Sequence, residues 1–294
     1  MKIKPSIGDH IFNNINHFVL ILLMLVTLYP FVYVVFASIS DPIAIMQHKG
    51  LLIYPKGFQF EAYKIVINTP MISISYANTI FYLIAGTFIN ILLSTMGAYV
   101  LSREHFLLKN HIMFFISFTM FFHGGLIPNY LLVRNIGISD TVWALLLPRA
   151  ISAWNLIIMR TGFKSIPASL EESARLDGAR DITIMIRIIM PLSLPVISVM
   201  VLFYGVYHWN AWFDAMVYLR RRTLFPLQLI LREILIGASQ MEMLSDVSDN
   251  LKRPGLESLV KYATIMVATI PILCVYPFLQ KYFVKGVMIG AIKA

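Results

Sequence analysis

Charge is what this chain has least of. Only 13% of its 294 residues are Asp, Glu, Lys or Arg, where a soluble domain carries about a quarter. With 58% hydrophobic residues and a mean hydropathy of +0.74, that scarcity excludes a soluble globule and leaves an integral membrane protein. Cysteine is nearly absent. Cys274 stands alone in an apolar run, so it forms no internal disulfide, and no Cys/His cluster offers a metal site. The G-x-x-x-x-G-K-[ST] phosphate loop is also missing, so this chain does not hydrolyse ATP by that route. No Ser/His/Asp constellation or H-E-x-x-H stands out, which argues against a membrane enzyme. An ion-coupled secondary transporter, the main alternative for a chain this apolar, needs carboxylates inside its spans and usually an internal repeat. Neither is visible in the long apolar runs.

What is present is a series of those runs. A bilayer core needs about 20 apolar residues in a helix, and six stretches qualify, near 18–40, 78–101, 112–133, 141–159, 192–213 and 262–280. The first is too long for the core of a signal peptide and reads as an uncleaved span. The expected fold is therefore all-α with six transmembrane helices, a single transmembrane domain over 1–294 and both termini on one side. Lys and Arg divide almost evenly between the two sides. The shortest loops, with Arg103 and Lys109 on one side and Arg134 on the other, lean towards cytoplasmic termini. The loop over 41–77 carries aromatic residues suited to an interfacial belt, and Asn78, Asn90, Ser94 and Thr95 in the second run suit contacts between helices.

The charged interval over 164–191 stands between the fourth and fifth runs. Ser169 and Glu172 have capping-box spacing, which predicts a short helix from Leu170. Asp177-Gly178 stops it, and Asp181 is positioned to cap a second helix that runs apolar to Pro191. Glu171, Glu172, Asp177 and Asp181 nearly balance Arg175, Arg180 and Arg187, with no His or Cys among them. Such a loop is suited to being held by a partner, or is simply a solvated connection.

Here a resemblance enters. Glu172-Ser173-Ala174, then Gly178, then Met190-Pro191 resemble the Glu-Ala-Ala, Gly and aliphatic-Pro spacing of the cytoplasmic loop in permease subunits of binding-protein-dependent ABC importers. Gly124-Gly125-Leu126-Ile127-Pro128, Asn155 through Arg160, and Lys281-Tyr282-Phe283-Val284-Lys285-Gly286 are similar to the carbohydrate branch, in particular to maltose-type second permeases for polysaccharides. Ser173 departs from the usual Ala. The resemblance implies a type I ABC importer fold in a bacterial inner membrane, paired with a homologous permease in a heterodimer. Glu171, Glu172, Ser173, Ala174, Asp177 and Gly178 would form the coupling helix held by two separate ATP-binding subunits. ATP and Mg belong to those subunits, and no cofactor is expected in this chain. An extracytoplasmic solute-binding protein would deliver an oligosaccharide. The remaining partner is membrane lipid, not nucleic acid. An acidic sugar such as an alginate fragment is preferred, with neutral maltose-like or xylan-like sugars left open.

Candidate pathway residues follow from position. His123 precedes the Gly-Gly-Pro break expected in the third run, as a helix-packing or pathway residue. Arg149 follows Pro148 inside the fourth run, where a charge costs at least about 2.5 kcal/mol; it either pairs with Asp140 or Asp214, snorkels, or meets an anionic substrate. Asn155 lies in a segment that carries the resemblance. At helical spacing Tyr204, His208 and Trp212 share one face, and Tyr207, Asn210 and Asp214 an adjacent one, with Trp209 between. That inventory of flat rings and hydrogen-bonding edges suits a sugar pathway, and it also suits an interfacial belt. The loop over 214–261 carries Arg220-Arg221-Arg222 and a helical pattern near 227–236, and fits either docking of an acidic surface or a solvated run.

Overall fold

The structure is a computed structural model that describes residues 6–244 and 255–291, and the side chains of all of these except 238–244, 257 and 275–291. Expectations for Lys2, Lys4, Lys252, Arg253 and Lys293, and for the side chains of the Lys281 to Gly286 motif, fall outside the described residues. Every regular element among the described residues is helical. In chain order these are α1 (Ile7–Ser38), α2 (Pro42–Gln47), α3 (Glu61–Asn68), α4 (Pro70–Ser102), α5 (Lys109–Phe121), α6 (Leu126–Asn135), α7 (Trp143–Leu146) and α8 (Ala153–Lys164). Then come α9 (Ala168–Leu176), α10 (Asp181–Ile184), a π-helical segment (Met185–Ile189), α11 (Met190–Leu192), α12 (Leu194–Asn210), α13 (Phe213–Tyr218), α14 (Leu227–Leu244) and α15 (Leu256–Ala291).

The chain divides into two compact units, one of residues 1–69 with 233–270 and the other of 70–232 with 271–294. In the first, α1 begins where Ser6 and Asp9 cap each other reciprocally, Ser6 N–H to Asp9 Oδ2 at 2.7 Å and Asp9 N–H to Ser6 Oγ at 3.3 Å. Its apolar side chains are almost all exposed, as lipid or another chain requires. The 41–77 loop is more built than its sequence suggests. Asp41 caps α2 by accepting from Ile43 and Ala44 N–H at 3.0 Å. Ser40 Oγ accepts from Lys56 N–H and Tyr29 Oη from Leu52 N–H, so the loop is pinned back on the end of α1.

In the second unit α4 packs along α12 and α8. Tyr99, Leu156, Met159, Phe163, Ile184, Ile189, Met200 and Tyr204 close the core between them. Gly86 is what lets α4 and α12 approach: a Cβ there would run into the His208 imidazole. The π-helical segment lies just before Pro191, whose missing N–H removes a rung of the helical ladder.

The six expected spans are not six straight helices. Among the described residues α1 and α4 are long and apolar enough to cross a membrane alone. The third run is two helices, α5 and α6, meeting at 117°, because Gly125 takes φ +89° immediately before the turn that contains Pro128. His123 is exposed at that break rather than packed between helices. The fourth run is also broken: residues 147–152 separate α7 from α8. The fifth helix stops at Asn210, bent by 86° from the segment before it. Trp212 and Asp214 therefore lie beyond the helix whose faces they were expected to extend. The helix expected near 227–236 is α14.

Two cap assignments in the 164–191 interval are corrected as well. α9 starts at Ala168 after Pro167, with no side-chain cap from Ser169. Asp181 is the first residue of α10 instead of its cap, Arg180 taking the cap position, and its carboxylate pairs with Arg175 at 2.6 Å.

Candidate functional site

The break at 147–152 is where the chain concentrates polar chemistry inside apolar helices. An interrupted helix at membrane depth leaves carbonyl and N–H groups that must find partners within the protein. Asn90 of α4 supplies them, donating one Nδ2 hydrogen to the Arg149 carbonyl at 2.7 Å and the other to the Ala150 carbonyl at 2.9 Å. Since both amide hydrogens are committed, Asn90 Oδ1 is an acceptor, and His208 donates to it from Nε2 at 2.7 Å. Tyr204 Oη accepts from the Ser152 N–H at 3.2 Å and shares a hydrogen with Ser94 Oγ at 2.7 Å. Ser152 Oγ in turn accepts from Asn155 N–H, and α8 restarts. His208 and Tyr204, expected on a sugar-lining face, are both 3% exposed, and their polar atoms hold the break from behind.

On the open side of the break stands Arg149. Its Nε donates to Asp214 Oδ2 at 2.7 Å, and Tyr207 Oη donates to the same oxygen at 3.0 Å. The Tyr207 ring lies 5.6 Å from the guanidinium carbon. This settles Arg149's protein partner in favour of Asp214. Asp140 is taken by the loop after α13: it accepts from Arg220 and Arg221 N–H and from Arg221 Nε at 3.0 Å. The two backbone bonds, with Arg221 beside them, hold the Asp140 carboxyl below the ordinary range. The basic run at 220–222 is thus partly engaged within the chain.

Arg149, Ser152, Asn155, Phe203, Tyr204 and Tyr207 line a cavity of about 410 Å³. Three other expected pathway residues lie elsewhere. Trp209 is buried beside Tyr76. Asn210 is exposed at the end of α12 and donates to the Val206 carbonyl, and the Trp212 ring lies under the Arg232 guanidinium at 4.5 Å.

The second polar cluster surrounds α9. Glu171 is 7% exposed and pairs with Arg103, which follows α4, and with Arg175 at 3.0 Å. Arg103 also donates to the Phe163 carbonyl at 3.1 Å, tying the ends of α4, α8 and α9 together. Burial by itself would raise the Glu171 carboxyl, but the two guanidinium groups outweigh it and hold it below its ordinary value. Glu171 therefore faces inward, whereas Glu172, Ser173 and Asp177 are exposed and Ala174 is half-buried against the core. Gly178 ends the helix at φ +80°, a conformation that favours glycine. The Arg103–Glu171 pairing was missed by sequence reasoning. Its signal was a basic residue just past a span and a second carboxylate beside Glu172.

Comparison with known proteins decides what such a chain is. The family model for the inner membrane component of binding-protein-dependent transport systems matches residues 87–289. The chain belongs to this family. It is a multi-pass inner-membrane permease subunit of an ABC importer and is not itself catalytic. The permease is 40% identical over 97% of its length to the polygalacturonan/rhamnogalacturonan transport system permease protein YtcP of Bacillus subtilis (strain 168), 99% of which is covered. It is also 40% identical to Protein LplC of the same organism, over 91% of this chain and 90% of that one. Its fold matches a chain in the crystal structure of a bacterial ABC transporter involved in the import of the acidic polysaccharide alginate. The TM-score is 0.86 at 35% identity, with 96% of the permease and 100% of that chain covered.

Proposed function

We propose that this permease forms half of the pathway of an ATP-driven importer of acidic, uronate-rich oligosaccharides. The carrying observation is that its full-length relative handles polygalacturonan and rhamnogalacturonan, while the similar solved structure serves alginate import. These are polymers of carboxylate-bearing sugars. The exposed cation at the helix break supports the same substrate class, since an arginine inside a membrane protein faces a polar path or a partner rather than lipid.

In this reading the chain has six spans and cytoplasmic termini, with α5–α6 and α7–α8 as broken spans. A homologous permease completes the pathway. Two ATPase subunits, which carry ATP and Mg, grip α9 and the matching helix of the homologous permease, on α9 through Glu172, Ser173 and Asp177. Glu171 faces away from them and locks α9 to α4 and α8, so a push on α9 moves these helices together. An extracytoplasmic solute-binding protein presents the sugar.

The test is ATPase activity in the complex purified through a tag on this chain, with the cognate binding protein and a panel of acidic and neutral oligosaccharides. Co-purifying activity that acidic oligosaccharides stimulate, and that Gly178→Asp abolishes, is the expected result. A chain that brings down no ATPase, or a complex stimulated by neutral sugars alone, would overturn the proposal.

A further inference from the structure

The Arg149 guanidinium is only half used by the contacts that hold it. Asp214 occupies its side-on edge, with Nε to Oδ2 at 2.7 Å and Nη2 to Oδ1 at 3.5 Å. A guanidinium carries five N–H bonds in one plane. The end-on edge, formed by Nη1 and the near hydrogen of Nη2, is therefore left over by Asp214, and it has the fork spacing that receives a carboxylate in two parallel hydrogen bonds. Exposure points the same way. The Arg149 side chain is 56% exposed and that of Asp214 only 17%, so the cation is turned outward and its counter-charge inward.

The surroundings suit a sugar acid. Phe203 and Tyr207 bring aromatic surface to the adjoining cavity, and its volume of about 410 Å³ falls in the usual range for small-molecule sites, about 300–1,000 Å³. The backbone that carries Arg149 is fixed by the two bonds from Asn90, and Tyr207 Oη steadies the Asp214 carboxylate. A guanidinium already paired with one carboxylate holds a second one loosely. Passage requires that weakness, since a site on a pathway must release what it binds.

We infer that Arg149 reads the carboxylates of the oligosaccharide as it crosses, with Asp214 and Tyr207 holding the guanidinium side-on so that its end-on edge faces the cavity. Arg149 is the specificity residue and Asp214 a positioning residue. The inference rests on the acidic-substrate reading above.

The experiment compares uptake of galacturonate oligosaccharides by the whole complex in proteoliposomes, with binding protein present, for wild type, Arg149→Gln, Arg149→Lys and Asp214→Asn. Assembly is checked by co-purification of the ATPase. Arg149→Gln should lower kcat/KM about ten- to a hundredfold, the value of a lost charge-assisted pair. Arg149→Lys, which keeps the charge without the fork, should lose most of that. Asp214→Asn, which keeps an acceptor for Nε but removes the charge that competes with the substrate carboxylate, should lower KM and kcat together by slowing release, the opposite of the KM rise expected from Arg149→Gln. A pair that is merely a structural latch would suffer equally from either side, so equal losses of kcat/KM in the Arg149 and Asp214 variants would overturn the inference, as would no loss in any. If Arg149→Gln does not assemble, Arg149→Lys decides: uptake retained in assembled complex overturns the inference, and uptake lost beside an active Asp214→Asn supports it. A wild-type complex that carries neutral but not acidic oligosaccharides would instead overturn the substrate reading.

Discussion

Two arginine–carboxylate pairs in this permease have the same chemistry and opposite settings. Arg103 and Glu171 expose 14% and 9% of their side chains, whereas Arg149 exposes 56% against 17% for Asp214. In the first pair a second arginine, a tyrosine and a backbone carbonyl surround the charges. In the second, the guanidinium is more than half exposed and stands beside a cavity. Burial turns the same ion pair into a joint in one place and a site in the other. A nearly buried pair whose groups already share several partners has little capacity left for a ligand, and a half-open pair contributes little to rigidity.

The contrast breaks most sharply at Glu171. Glu171→Ala leaves Arg103 buried and uncompensated, at a cost of about 3–5 kcal/mol. The expected outcome is a large fall in thermal stability and in yield of assembled complex, measured by fluorescence-detected size exclusion after heating. Asn90→Leu tests the support behind the open pair. Each carbonyl it leaves unpaired costs about 1–3 kcal/mol, so Tm should drop and galacturonate uptake should fall with it, because Arg149 sits on the released segment.

Acidity sharpens the comparison further. The folded state holds the Glu171 carboxyl below its ordinary value, so the stabilisation is fully present above the carboxylate range and is lost as pH falls through it. Thermal stability should be flat in this respect from pH 7 to about 5 and decline below about 4.5. Glu171→Gln should show a shallower decline in the same scan. The smallest effect is expected from Arg221→Ala, which removes an exposed partner of Asp140 worth about 0.2–1 kcal/mol. A Tm change larger than that of Asn90→Leu would contradict the ranking by burial.

Much of the plan was legible in the residues. The scarcity of charge and the length of the apolar runs identified a helical membrane protein, and the interval around Gly178 showed a helix ending there, with the Glu172-Ser173-Ala174 spacing of a known family. The breaks are partly legible: Gly124-Gly125 and Pro128 announce one, while the interruption after Pro148 is hidden by a composition as apolar as its neighbours. The aromatic residues of α12 were the least legible. Tyr204 and His208 repeat at helical spacing whether they face a sugar, a lipid headgroup or another helix, and only the position of Asn90 shows that they face inward.

Composition and spacing alone determined the helical class, the membrane setting and the place of the charged interval over 164–191, because these depend on local periodicity and on the transfer of apolar surface, which every residue reports for itself. The tertiary structure decided which carboxylate each arginine meets and which of its edges is left open. Those partners lie 65 and 68 positions apart in the chain, and their pairing depends on the approach of α4, α8 and α12, which no local pattern records.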